Sequence, residues 1–350
     1  MLTTGEGGIC VKLDDRKFMI LRTIIDDYIS TAVPVGSRTI SRKHGVGFSP
    51  ATIRNEMSDL EELGYLAQPH TSAGRVPSAK AYRLYVDQLM RSHKLSDEDM
   101  RRLNDHMTTR VGEVEEVIRC AAQALSDVTN YTALVVAPHL DTLRIKRVQL
   151  IPVTEGSALM IIVTSAGLVK DAVVRVPEGV TSDLLYGISE MLTDQLSGLT
   201  LGQMRARFAG MFRDLKEHRR LLASVLDVME NRLREEPEEI LVGGGSNLLA
   251  YPEYADIGKA RMFLSVLESR EKLYPLLRQS GSMEFTIRIG PENDLPELSD
   301  CSLVTAVYRI GKGSTGTLGI LGPTRMDYGR VLSVLEFMGK AMSSLMPGDE

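Results

Sequence analysis

The chain has 350 residues, a net charge of −5, 43% hydrophobic and 25% charged residues, a globular composition that excludes a disordered or fibrous protein. Its three cysteines include no Cys-x-x-Cys pair, which excludes a disulfide framework and a structural zinc cluster. No apolar signal core is visible at the N-terminus, and no apolar run reaches the roughly 18 residues that a membrane span requires. We therefore expect a soluble protein of a reducing compartment, the cytoplasm.

The positive charge is concentrated near the N-terminus. Residues 1–94 carry 13 Lys and Arg and 10 Asp and Glu, a net charge of +3, whereas residues 95–350 have a net charge of −8. Residues 36–55 contain four cations and no acid. These cations are Arg38, Arg42, Lys43 and Arg54. A basic segment attached to an acidic body is typical of a phosphate-binding head, although an ordinary solvated helical surface would show the same asymmetry.

The N-terminal third has the element order of a winged helix-turn-helix. The predicted elements are helices over 14–30, 37–44 and 49–63, a hairpin over 65–77, and a fourth helix from 78 onward. Gly45 is placed to follow the end of the second helix. Ser49 as N-cap and Pro50 at the first helical position predict the start of the third helix, and Gly64 predicts its end.

The rest of the chain predicts an α+β domain interrupted by a mainly helical insertion. The predicted strands are 131–137, 143–153, 157–164, 168–176, 239–242, 283–289, 301–310 and 315–321, and the predicted helices are 98–129, 181–197, 201–235, 256–279 and 326–345. Because an insertion leaves the two ends of its host close together, we expect the strands over 131–176 and 283–321 to share one sheet. The predicted domains are 1–95, then 96–178 with 256–350, and the insertion 179–255.

The third helix has the pattern of a helix that enters the major groove of DNA. At 100° per residue, Ile53, Met57 and Leu60 form an inward stripe. In the first two turns the opposite face is small and polar, and its only charge is positive, while the acids Asp59, Glu61 and Glu62 lie in the last turn. Such a face permits close approach, Asn bonds an adenine edge, and Arg bonds guanine or phosphate. The predicted contacts on this helix are Ser49 at the helix N-terminus, Ala51, Thr52, Arg54, Asn55 and Ser58.

Two further elements are predicted to hold the duplex. Arg38, Arg42 and Lys43 would contact the phosphate backbone and set the register. His70 and Arg75 flank the hairpin tip and are suited to backbone or minor-groove contact. The alternatives are a plain helical hairpin with a polar outer face and an ordinary turn with one solvated Arg.

At these residues the sequence resembles the HrcA heat-inducible transcription repressors of bacteria. The runs that carry the resemblance are VPVGSRTIS (33–41), FSPATIRNEMSDLEELGYLAQPHTSAGRVPS (48–78), YRLYVDQLM (82–90) and GTLGILGPTRMDYGRV (316–331). Ala81 stands where the resemblance predicts a glycine.

The resemblance implies a homodimer with a winged-helix head, a GAF-like α+β domain and a dimerising insertion at 179–255. It implies repression of chaperone operons by binding double-stranded DNA at an inverted repeat, with DNA contacts on 49–63 and 69–76. It also implies that a chaperonin maintains the active state, that heat stress releases the repressor when the chaperonin is titrated away, and that the bound protein lies on the nucleoid.

Other functions remain open at this point. A small-molecule sensor would line a pocket with the strands over 157–176 and 283–321, but no convergent polar cluster is visible there. An enzyme lacks every expected motif, since the histidines are scattered and the glycines at 243–245 have no nucleotide-binding spacing. We therefore expect no cofactor and no metal, and we interpret 243–245 as a flexible connection. Release on warming could also originate in a marginally stable trunk.

Overall fold

The structure is a computed structural model. It describes residues 13–43, 47–70, 74–90, 94–108, 114–137, 144–165, 169–200, 203–204, 207, 219–235, 240–278, 285–310 and 314–345. The fold is a mixture of helices and sheets, which confirms the predicted α+β class. In the described ranges, no helix is both long enough and apolar enough to cross a membrane.

The chain divides into two compact units. The first comprises Met1–His93, Arg288–Ser302 and Gly322–Gly329, and the second comprises Lys94–Ile287, Leu303–Leu321 and Arg330–Glu350. The predicted N-terminal head of residues 1–95 thus shares its unit with two segments that were predicted to belong to the GAF-like domain.

The head has the predicted order of three helices, a hairpin and a helix. The elements are α1 (Asp15–Thr31), α2 (Ser37–Lys43), α3 (Pro50–Glu62), β1 (Leu66–Ala67), β2 (Val76–Pro77) and α4 (Ala79–Leu84), which continues as a π-helical turn over Tyr85–Leu89. Asp14 caps α1 by accepting a hydrogen bond from the Lys17 backbone N–H at 2.8 Å. Gly45, the predicted residue after α2, lies outside the described residues.

The core of the head is formed by the apolar faces of its helices. Its fully buried members include Ile20, Leu21, Ile24 and Ile25 of α1, Ile40 of α2, and Ile53 and Leu60 of α3. Burial of side chains of this size stabilises the head by about 1.5–3 kcal/mol each.

Two later segments of the first unit enclose α4. The Tyr82 ring, which is buried, lies 6.2 Å from the buried Tyr328 ring. Arg83 donates through Nε to Glu292 Oε1 at 3.0 Å, and Arg325 donates through Nη1 to the Ile29 carbonyl at the end of α1, at 3.2 Å. The N-terminal head is therefore packed against residues that lie more than 200 positions later in the chain.

The remaining elements form two sheets and their helices. The helices are α5 (Asp97–Thr108), α6 (Val114–Thr129), α7 (Ser182–Leu196), α8 (Arg219–Glu235), α9 (Ile257–Glu268), α10 (Arg270–Arg278) and α11 (Tyr328–Leu345). The strands are β3 (Thr132–Val136), β4 (Ile145–Thr154), β5 (Ser157–Thr164), β6 (Val169–Arg175), β7 (Ile240–Gly243), β8 (Phe285–Ile289), β9 (Cys301–Ile310) and β10 (Ser314–Pro323).

One sheet has five strands in the order β7-β3-β10-β9-β8. Its inner strand β3 is buried along its whole length and pairs antiparallel with both β7 and β10. Helix α6 packs on β3 and β7. A strand buried on both faces is apolar throughout, as the run Ala133-Leu134-Val135-Val136 shows.

The prediction of one long helix over 98–129 is wrong. The chain forms α5 and α6, which pack against each other. His106 Nε2 lies 3.3 Å from Asp127 Oδ2, although a continuous helix would separate these residues by about 30 Å. The predicted helix over 256–279 is likewise two helices, α9 and α10, which meet at Ser269.

The strands β4, β5 and β6 form a separate three-stranded antiparallel sheet. The prediction that strands over 131–176 share a sheet with 283–321 is therefore right for β3 and wrong for these three. Their apolar face packs with α7 and α8 into a core of its own. Buried members of this core include Leu150, Met160, Val174, Leu192 and Val225.

Hydroxyl groups from the two helices bond to the outer edges of this sheet. On the β4 edge, Thr193 Oγ1 of α7 bonds to both the N–H and the carbonyl of Val148, at 3.1 and 3.0 Å, and Ser189 Oγ accepts from the Leu150 N–H at 2.8 Å. On the β6 edge, Ser224 Oγ of α8 donates to the Arg175 carbonyl at 3.1 Å. These bonds use edge groups that would otherwise be available to another strand.

Gly243 permits close packing, which replaces the interpretation of 243–245 as a flexible connection. It ends β7, and a Cβ at this position would lie 2.3 Å from the Ala122 carbonyl oxygen of α6. Only a residue without a side chain lets the strand approach the helix this closely.

We expect Gly243→Ala to destabilise the protein by about 1–3 kcal/mol, because the strand must move away from α6. Gly187→Ala is the matched control. Gly187 lies in the exposed face of α7, where a Cβ meets no atom within 4 Å, so alanine there should stabilise by about 0.5–1 kcal/mol. Thermal unfolding midpoints of the full chain provide the measurement, and equal midpoints for the two variants would contradict the packing argument.

Candidate nucleic-acid interface

The outer face of α3 is small, polar and solvent-exposed, as its spacing predicts. Ala51, Arg54, Asn55 and Ser58 are exposed. They lie opposite the inward stripe of Ile53, Met57 and Leu60, which is buried. Such a face allows the close approach to base edges that a major-groove helix requires.

The N-terminus of α3 is ordered by its cap. Ser49 Oγ accepts from the Thr52 backbone N–H at 3.1 Å and lies 3.0 Å from Thr52 Oγ1. No acidic residue occupies the first turn. The partial positive charge of the helix N-terminus is therefore uncompensated there and favours a phosphate.

The cations predicted on α2 are four residues apart and exposed. Arg38 and Arg42 share one face of the helix at this spacing. Lys43 is the last residue of α2, and its side chain lies outside the described residues. His70 is exposed beside the hairpin tip, and residues 71–73 of that tip also lie outside the described residues.

The acid Glu56 is a positioning residue of α3 that the sequence pattern did not reveal. It lies on the inward side of α3 and is buried. Lys17 Nζ of α1 lies 2.7 Å from Glu56 Oε2 and 2.9 Å from Asp59 Oδ2, and Arg16 Nη1 lies 3.3 Å from Glu56 Oε1. Glu56 follows Ile53 by three residues and precedes Leu60 by four, so an acid beside this stripe signals a cationic partner.

This cluster holds α3 against α1. The Lys17 ammonium donates hydrogen bonds to Glu56 and, with a smaller effect, to Asp59, and these bonds raise its pKa above the ordinary value. The cation is therefore charged throughout the physiological pH range. The guanidinium of Arg16 also lies over the Phe48 ring, at 5.1 Å from the ring centroid. Residues of α1 thus contact both the segment that precedes α3, at Phe48, and the middle turns of α3, at Glu56 and Asp59.

Arg75 does not stand on an open surface. It donates through Nε to Glu61 Oε2 of α3 at 2.8 Å, and its Nη2 lies 2.8 Å from the same oxygen. Its backbone N–H and carbonyl both pair with Val35, at 2.9 Å each. The structure therefore brings Arg75 together with α3 and gives it a partner within the head.

In these contacts, acids of α3 are paired within the head, whereas several cations of the head remain exposed. Each of the acids Glu56, Asp59 and Glu61 has a cationic partner supplied by α1 or by the hairpin. Arg38, Arg42 and Arg54 are exposed. Among the described residues of the head, Arg16 and Lys80 are exposed too, but they contact Glu56 and the Leu63 carbonyl. The outward side of the first two turns of α3 consequently favours a polyanion, and the exposed Glu62 lies in the last turn. Groups of three or more His, Cys, Asp or Glu side chains that could hold a metal are absent from the described part of the chain.

We expect Glu56→Gln to destabilise the head by about 1–2 kcal/mol, because Lys17 and Arg16 lose their most buried anionic partner. Hydrogen exchange of the full chain should show faster exchange in α1 and α3, with little change in the β4–β6 sheet. Glu62→Gln is the control, since Glu62 is exposed on the same helix. Unchanged exchange in α3 of Glu56→Gln would contradict the anchoring role.

Comparison with known proteins matches more than nine-tenths of the chain to proteins that share one name. The family model described as HrcA protein C terminal domain matches residues 115–332. The heat-inducible transcription repressor HrcA of Ruminiclostridium cellulolyticum is 44% identical over 331 residues, which cover 93% of this chain and 95% of the relative. The protein of that name from Brevibacillus brevis is 40% identical over 335 residues, covering 95% and 98%.

A solved structure has a similar fold. The crystal structure described as a hypothetical protein at 2.2 Å resolution superposes with a TM-score of 0.67 and 26% identity, covering 96% of this chain and 99% of that one.

Proposed function

We propose, because the chain belongs to the HrcA family of heat-inducible transcription repressors, that it represses chaperone operons by binding an inverted-repeat DNA operator as a homodimer. Membership of this family confirms the prediction of a transcription repressor rather than an enzyme. The operator, the dimer and the role of a chaperonin are the proposal.

The observation that carries the proposal is the outer face of α3. Asn55, Ala51 and Ser58 lie on it together and are exposed, while Glu56, Asp59 and Glu61 are paired with cations from neighbouring elements. The exposed acid Glu62 lies in the last turn, away from the N-terminal half of the helix. A helix with such a face can enter the major groove without repulsion between carboxylates and phosphates.

The predicted contacts other than Arg75 have the following roles in this proposal. Asn55 reads a base edge, with Ala51 and Ser58 permitting the approach, and Arg54 bonds a guanine or a phosphate. The residues proposed to bind phosphates are Arg38, Arg42 and Lys43 on α2, Ser49 and Thr52 at the start of α3, and His70 at the hairpin. Residues 1–95 act as a winged-helix head in this scheme, followed by a GAF-like domain with a dimerising insertion.

The exposed face of the β4–β6 sheet supports the homodimer. Ile151 pairs with Leu159, which pairs with Val173, so the three form one row across the sheet. Val173 is 64% exposed and Ile151 is 37% exposed. Because helices bond to both edges of the sheet, the face rather than an edge is available to a second copy. The shared core of β4–β6 with α7 and α8 favours an insertion that begins near residue 144, before the predicted 179.

An isologous dimer requires a two-fold symmetric operator, with one α3 in each half-site. We further propose that a chaperonin maintains the active form, that heat stress releases the protein from DNA when the chaperonin is occupied elsewhere, and that it acts in the cytoplasm, on the nucleoid. These steps rest on the family resemblance.

We expect Asn55→Ala to weaken operator binding by about 1–3 kcal/mol and to change binding to random duplex little, because a base-edge contact is lost. Arg42→Ala should weaken both alike and reduce the slope of log affinity against log salt by about one unit, because a phosphate contact is lost. Fluorescence anisotropy over a salt series measures both quantities. Equal losses on operator and random DNA for Asn55→Ala would reject its base-reading role.

We expect Val173→Asp to dissociate the dimer, because the substitution buries a carboxylate within an apolar interface. Ile257→Asp is the control, since Ile257 is 77% exposed at the first position of α9, where an acid is favourable. Sedimentation velocity of both variants over a concentration series reports the association state. A Val173→Asp protein that sediments as the parent dimer would contradict the proposed interface.

A further inference from the structure

We infer that Glu61 and Arg75 are a positioning pair that sets the place of the hairpin relative to α3, and that Arg75 acts on DNA through this pair rather than as a phosphate contact. The inference rests on the proposed function, since it assumes that α3 and the hairpin meet the same duplex.

The geometry of the pair is specific. Two nitrogens of the Arg75 guanidinium, Nε and Nη2, lie within 2.8 Å of one oxygen, Glu61 Oε2. The side chains are only 21% and 33% exposed. A guanidinium held at two nitrogens has its plane and direction fixed, which a single-point ion pair does not achieve.

The backbone at the base of the hairpin is held in the same place. Arg75 pairs through both its N–H and its carbonyl with Val35. A Cβ on Gly74 would lie 2.5 Å from the carbonyl carbon and oxygen of Val35, so the chain passes here at a distance that only glycine permits.

The hairpin has few bonds of its own with which to fix its direction. Its strands contain two residues each, paired as Leu66 with Pro77 and Ala67 with Val76, and Pro77 has no N–H to donate. A two-stranded ribbon this short is marginal by itself. Its place relative to α3 therefore depends on contacts at its base, and the Glu61–Arg75 pair reaches α3 through side chains.

The pair makes a prediction opposite in sign to that of simple charge. Glu61 is an anion on a helix that faces a polyanion, so removing its charge should strengthen DNA binding if Glu61 has no positioning role. If Glu61 holds Arg75 and the hairpin, Glu61→Gln should weaken binding. The control Glu62→Gln removes the same charge from the next residue, which is exposed.

The test measures affinity of the full-length protein for an operator duplex and for a random duplex of equal length, by anisotropy across a salt series. We expect Glu61→Gln and Arg75→Ala each to weaken operator binding about fivefold to tenfold, and the double variant to lose no more than either single one. The salt slope should stay at the parent value. Glu62→Gln should bind as tightly as the parent or more tightly.

Hydroxyl-radical footprints give a second readout. Protection at the outer flank of each half-site should be lost in both pair variants, while protection at the base pairs under α3 remains. Arg75→Lys keeps the charge but cannot reproduce the two-nitrogen contact, so it should also lose the flank protection. This conservative variant decides the question if Arg75→Ala fails to fold.

The opposite pattern would overturn the inference. If Arg75→Ala lowers the salt slope by about one unit, Arg75→Lys binds like the parent and Glu61→Gln binds more tightly, Arg75 is a phosphate contact. Parent-like binding by both pair variants would also overturn it. Asn55→Ala separates the two levels: if that variant weakens operator binding and the pair variants do not, only the positioning pair fails, whereas no operator binding by the parent means that the proposed function fails.

Discussion

The pairing of three acids of α3, Glu56, Asp59 and Glu61, with cations from other elements is the constraint on which the proposed DNA-binding surface depends. A helix that carries Glu56, Asp59 and Glu61 would by itself be repelled by phosphates. Lys17 lies against the first two acids and Arg75 against the third. Each pair removes a negative charge from the field that DNA experiences and also ties the helix to its neighbours. The same ion pairs thus reduce the negative charge of α3 and hold the helix in place.

A second constraint comes from the far end of the sequence. Helix α4 follows the hairpin directly, and residues 288–302 and 322–329 belong to the same compact unit. Tyr82 packs near Tyr328, and Arg83 is bonded by Glu292. These contacts support the head through residues that lie about 200 or more positions after α4 in the chain. The head is a structural unit without being a continuous segment.

Signals from neighbouring residues were sufficient to predict the helices and hairpin of the candidate site. They were insufficient to predict the distant residues that contact these elements. Capping is a matter of adjacent residues, so Ser49 and Pro50 predicted the start of α3 correctly. The apolar stripe likewise predicted which face of α3 is exposed. The burial of Glu56, the pairing of Arg75 and the separate sheet of β4–β6 each depend on residues distant in sequence, Lys17, Glu61 and the α7–α8 helices. A periodic pattern predicts which side of a helix is apolar, but it does not predict which residues pack against that side.

In the proposed repressor, association through the β4–β6 sheet gives temperature a route to DNA binding that leaves α3 unchanged. Two heads joined through a sheet face bind an inverted repeat with a high effective concentration of the second head once the first is bound. The row of Ile151, Leu159 and Val173 is an apolar surface, and apolar association weakens on cooling rather than on moderate warming. Release on heating would therefore require loss of the packing that presents this row, the core that β4–β6 share with α7 and α8. Loss of that association would leave each head with its pairs intact and its contacts unaltered. Operator affinity would still fall steeply, because a single half-site supplies only half of the phosphate and base contacts.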